Sequence, residues 1–206
     1  MRGLGISETV LALVALNVVV SIAAFSANGT AQRRHFVFAP SEVIRGRGLL
    51  GLLLSHCAHA DVGHLLLNLL GLYFFGPVVE RKLGSSTLLL VYVASGVLGS
   101  LAVLMMRWSN RRYRVLGASG SVTGVLFAAI VLRPDMNLYL FFVPIPVPAP
   151  IFAVLYVVLS SYMMGRQSHQ VAHDAHLGGA AAGALLAGLI SPAGFQPLLE
   201  RISSWL

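Results

Sequence analysis

Residues Gly117–Leu132 read GASGSVTGVLFAAIVL, and the charged Arg133-Pro134-Asp135 follows at once. An uncharged run of this length approaches what a helix needs to cross a hydrocarbon core. Yet it opens on hydroxyls, Ser119 and Ser121, with Thr123 a little deeper. Polar groups inside a spanning helix are costly and mark a functional site by default. Serine in such a helix commonly bonds back to its own backbone. Here Gly117, Ala118 and Gly120 are small enough to let another segment approach the Ser119 hydroxyl.

Working outward, the same pattern of apolar runs and charged stops covers the chain. Of its 206 residues 57% are hydrophobic and 10% charged, against about 25% charged in soluble domains. The mean hydropathy is +0.82, so lipid is the main solvent. Five further runs are read as spans: Ser7–Phe25, Gly63–Val79, Ser85–Met106, Ala149–Met164 and Val171–Ile190. Ser7–Phe25 is long enough to span and has no clear cleavage site, which predicts a retained first helix. The fold class is therefore an all-α, multi-pass bundle of six helices with a long first loop. No internal repeat interrupts it, and residues 1–206 are read as one domain.

The formal charge is +7. Its Lys and Arg residues sit in short runs between spans, which points to lipid headgroups and topogenic signals, not nucleic acid. A single cysteine, Cys57, excludes an internal disulfide. Val43–Leu54 is apolar but too short to span, and predicts a helix lying in the membrane interface. Alternating prolines in 141–150 forbid a regular helix and predict an extended connector. Gly96 with Ser100, and Gly179 with Gly183, are small residues four apart, the pattern that lets helix backbones meet in lipid.

Polar residues gather in the second, fourth and sixth spans. The second carries His64 and Asn68 on one face, the fourth Ser119, and the sixth His173, Asp174 and His176. Spans alternate in direction, so these three enter from one membrane side. Each polar group lies within about 10 Å of that side at about 1.5 Å rise per residue. Serine needs an adjacent base to become a nucleophile, and histidine is the usual one. Acyl transfer also needs donors for a developing oxyanion, which His64, Asn68 and the Ser119 N–H are placed to supply. Asp174 points to another helix face than His176, so the reading is a dyad.

These residues resemble the rhomboid family of intramembrane serine proteases, in order and in spacing. The motifs are His64-x-x-x-Asn68, Gly117-Ala118-Ser119-Gly120, and Ala175-His176-Leu177-Gly178-Gly179 with Gly183. The likeness covers about residues 55–190, and Gly71–Glu80 looks typical of bacterial members. It implies Ser119 as nucleophile, His176 as general base, and an oxyanion hole of His64, Asn68 and the Ser119 N–H. It further implies structural support from His59, Gly117, Gly120, Gly179 and Gly183. Substrates would be single transmembrane protein segments, cut near the extracytoplasmic face, with no metal or cofactor. A bacterial inner membrane is the expected residence.

Two positions depart from the family. An aromatic ring commonly stands four residues after the nucleophile, against the base; here the position is Thr123, so another group must hold the His176 ring. The Trp-Arg pair of the first loop has no counterpart around Leu50-Gly51. On the family topology five of the fourteen Lys and Arg residues fall inside and nine outside, the reverse of the positive-inside bias. Orientation is taken from the family. Gly165 and Arg166–Gln170 are read as a flexible polar cap over the site. A non-catalytic rhomboid-like protein that binds transmembrane clients is the alternative; a metal site at His56, His59 and His64 ranks below it.

Overall fold

The computed structural model describes residues 7–140, 143–164 and 172–205. The polar-cap segment at 165–170 lies outside them. The chain is mostly helical, its main helices being α1 (Glu8–Ser26), α5 (Val62–Leu83), α6 (Ser85–Arg107), α7 (Ser119–Leu132), α8 (Ala149–Met164) and α9 (His173–Ile190). Short helices α2 (Gly29–His35), α3 (Pro40–Val43) and α4 (Leu49–Ser55) fill the first loop, and α10 (Gln196–Ser203) follows α9.

Each outer helix buries one stripe. On α1 it is Val10, Leu13, Asn17, Ser21 and Ala24; on α5 it is Leu65, Asn68, Leu72, Gly76 and Val79. The three- and four-residue spacing is that of one helix face. The opposite faces leave residues such as Leu16, Val19 and Phe74 exposed, as a lipid solvent permits. Among the described residues α1, α5 and α6 are long and apolar enough to cross a membrane, and α7 and α8 are shorter apolar helices.

Helix α7 is the centre. From Gly120 to Leu132 only Leu126 is not buried, and α5, α6, α8 and α9 all touch it. Its 14 residues give about 21 Å at 1.5 Å per residue, less than the roughly 30 Å of a hydrocarbon core. Flanking helices of 22 and 23 residues are longer, and the start of α7 lies against their interiors, Val122 at Gly71 and Ser121 at Gly96, so α7 starts below their ends and leaves room above Ser119. Against α7, α9 presents Gly179 and Gly183. A Cβ at either would collide with the backbone at Gly120 or Gly124.

Several boundaries move. The second span continues through Glu80-Arg81-Lys82 to Leu83 and stops at Gly84, whose φ is 86°. The helix runs through the charges, and the positive-φ glycine ends it. Glu80 accepts the Ser7 hydroxyl and, at 2.6 Å, that of Ser85. The fourth span starts at Ser119, since Gly117 has φ 144° and lies outside the helix. The sixth begins at His173; Val171 lies outside the described residues.

Val43–Leu54 is not one interfacial helix. Gly46 and Gly48, at φ 73° and 72°, break it into α3 and α4. The proline-rich connector is extended, but it is also paired: β1 (Asn137–Leu140) and β2 (Val143–Pro148) form an antiparallel hairpin, Leu138 opposite Val147. Prolines at every second position put the missing donors on one edge of the strand, which leaves the other edge able to pair.

Candidate active site

Ser119, His64, Asn68 and His176 arrive from three helices at one cavity of about 1100 Å³, whose wall also includes Asp61, Arg112 and Arg114. Ser119 is the first residue of α7, so its N–H has no acceptor inside the helix. The partial positive charge of the helix start points the same way. Gly117 makes the approach possible, because a Cβ there would run into the His64 ring.

The Ser119 Oγ stands 2.6 Å from His176 Nε2. On α5, Asp61 caps the helix by accepting from the His64 N–H at 2.8 Å. Asn68 donates one amide N–H to the His64 carbonyl at 2.8 Å, which leaves its second N–H for another acceptor. His59 lies fully buried beside this group, edge-on to the His64 ring at 5.1 Å, with Nδ1 2.8 Å from Ser21 Oγ. Burial, reinforced by the charge of His64, pushes the His59 imidazole down to about 4. His56 turns elsewhere, its Nε2 2.9 Å from Ser100 Oγ. The histidines at 56 and 59 are thus engaged with different helices.

Asp174 does not face His176. Its carboxylate is buried and accepts from Arg107 Nε at 3.0 Å and from the Tyr113 hydroxyl at 2.7 Å. Arg107 also donates to the Met164 carbonyl at 3.0 Å, so one guanidinium joins the ends of α6, α8 and α9. Burial, then the bond to Asp174, raises the Tyr113 phenol well above its ordinary range.

Tyr156 of α8 is the residue that sequence reasoning missed. Its hydroxyl lies 3.0 Å from His176 Nδ1, and its ring is offset from the imidazole by 6.4 Å between centroids at 27°. Thr123, at the position where an aromatic was expected, stands 3.3 Å from the same hydroxyl. The signal available was the hydroxyl of Tyr156, the one polar side chain in the otherwise apolar run from Ala149 to Leu159.

Comparison with known proteins agrees on the class of molecule. The Rhomboid domain family matches residues 46–193. The chain is 32% identical over 200 residues to RHOMBOID-like protein 12, mitochondrial, of Arabidopsis thaliana, covering 90% of this chain and 59% of that protein. It is 32% identical over 145 residues to Rhomboid protein 1, mitochondrial, of Saccharomyces cerevisiae, covering 68% of this chain and 41% of the relative. Rhomboid protease GluP of Bacillus subtilis is 39% identical over 72 residues, 35% of this chain and 13% of that protein.

The chain belongs to the rhomboid family. It spans about three-fifths of the plant relative's length and less of the other two. Family membership and the long apolar helices make it an integral membrane protein. The plant and yeast relatives, each matched over two thirds or more of this chain, are mitochondrial by name, so the expected bacterial inner membrane has no support from them.

Proposed function

We propose that the chain works as one membrane domain, an intramembrane serine endopeptidase that cuts single transmembrane segments near the extracytoplasmic face. Ser119 is the nucleophile and His176 the general base. The observation that carries this reading is the 2.6 Å separation of Ser119 Oγ from His176 Nε2, inside a cavity where peptide, water and donors can meet.

The proton of Ser119 passes to Nε2 as Oγ attacks the scissile carbonyl. The oxyanion accepts from the Ser119 N–H, from the free amide N–H of Asn68 and from a ring N–H of His64. Nε2 then gives its proton to the leaving amine, and water releases the acyl group by the same route in reverse. Neither a metal nor a cofactor takes part in this scheme; the partners are transmembrane proteins and lipid. A cut inside the bilayer requires a segment that unwinds, because helical carbonyls are already bonded and shielded.

The test is cleavage of a single-span substrate co-reconstituted in liposomes. Wild type should cut it, and Ser119→Ala and His176→Ala should not. A folded wild type that crosslinks to the segment without cutting it would transfer the reading to a client-binding protein.

A further inference from the structure

A base that takes a proton on Nε2 must carry its own proton on Nδ1, and something must hold that tautomer. Asp174 is spent on Arg107 and Tyr113. His173 lies edge-on to the His176 ring, and neither of its ring nitrogens has a hydrogen-bond partner. The Tyr156 hydroxyl, at 3.0 Å, is the acceptor the described residues provide.

We propose that Tyr156 is a positioning residue that holds His176 in its Nδ1–H tautomer. The unit is a hydrogen-bonded chain of Ser119, His176, Tyr156 and Thr123, and not an isolated pair. This rests on the protease reading of the same site. Nδ1–H donates to the Tyr156 oxygen, and the Tyr156 hydroxyl donates onward to Thr123 Oγ1, 3.3 Å away. No proton leaves Tyr156 during turnover; its oxygen stabilises the imidazolium that forms when Nε2 takes the serine proton. The offset of 6.4 Å at 27° puts the hydroxyl at the imidazole edge, where an in-plane N–H can reach it.

Thr123 has a purpose in this arrangement. A large ring at that position would fill the space into which Tyr156 reaches, whereas a threonine leaves the space open and supplies the acceptor. The tautomer is therefore held from outside the serine's own helix. Helix α8 buries only Ala149, Pro150 and Ser160, with Val154, Leu155, Val158 and Leu159 exposed. A base oriented from so peripheral a helix is complete only while α8 is seated against α9.

The experiment pairs turnover with nitrogen-15 spectra of histidine-labelled protein in nanodiscs, the His176 signals being assigned by their loss in His176→Ala. Wild type should show a protonated Nδ1 and an unprotonated Nε2. Tyr156→Phe keeps the ring and should shift the signals toward the opposite tautomer. The rate constant should fall about 10- to 100-fold with KM unchanged, the value of one hydrogen bond to a developing charge. Thr123→Val should move both readouts the same way but less. An unchanged His176 spectrum in Tyr156→Phe overturns the proposal, whatever the rate does. If wild type proves unable to cleave, the protease reading fails, while the spectra still decide what Tyr156 does.

Discussion

Tyr156 reaches the far nitrogen of His176, 3.0 Å from Nδ1, while Ser119 stands 2.6 Å from the near one. The imidazole is thus bracketed by hydroxyls from α8 and α7, two helices with very different burial. This bracket decides how well the ring is oriented, and it depends on the same bundle packing that creates the cavity.

The oxyanion assignment predicts that Asn68→Ala lowers the rate constant by about 10²–10³ with little change in KM. His64→Ala should behave alike, and the double variant should lose less than the product of the two. Steady-state cleavage in liposomes reads this. Proportional losses in KM would instead make Asn68 and His64 ground-state binding residues.

Backbone contact between α7 and α9 predicts a steep size limit at Gly183. A Cβ there meets the Gly124 backbone, so Gly183→Val should cost at least about 1–3 kcal/mol, the usual range of overpacking. Gly29, with nothing within 4 Å of its Cβ position, is the control; Gly29→Ala should stay within about 0.5 kcal/mol of wild type. Thermal unfolding in detergent distinguishes them.

The Asp174 carboxylate is 0% exposed and its Arg107 partner 25%. Breaking a fully buried pair costs about 3–5 kcal/mol; partial exposure of Arg107 lowers the expectation for Asp174→Asn to about 1–3 kcal/mol. A double-mutant cycle with Arg107→Gln should show coupling of comparable size. Additive losses would mean that the pair is not a clamp.

His59 predicts a pH dependence. Burial, with the charge of His64, lowers its folded-state pKa from 6.5 to about 4. Between those values the unfolded chain binds the proton more readily, so stability rises with pH through the window. It is fully present above 6.5 and is lost as pH falls toward 4. The span corresponds to something on the order of 3 kcal/mol. His59→Gln should flatten the curve of melting temperature against pH between these limits, the other histidines being common to both proteins. Parallel curves would show that His59 does not titrate in this way.

Much of this architecture was legible in the sequence because lipid imposes strict rules. Charged stops and apolar runs located the long helices, and Ala149–Met164 was read to the residue. His64, Asn68, Ser119 and His176 stood out because polar groups in spans are costly. The rest depended on contacts distant in sequence. Nothing local links Tyr156 to residue 176, or Arg107 to 174. Gly46 and Gly48 broke the interfacial helix through backbone conformation, which an apolar run conceals. The hairpin required the partner strand at 137–140 before the prolines could be read as an edge.

The central claim is tested most directly by reacting the reconstituted protein with a fluorophosphonate and mapping the adduct by peptide mass spectrometry. The account predicts one modified residue, Ser119, with labelling abolished in Ser119→Ala and in His176→Ala. An adduct on another residue, or an unlabelled but folded wild type in liposomes, would contradict it.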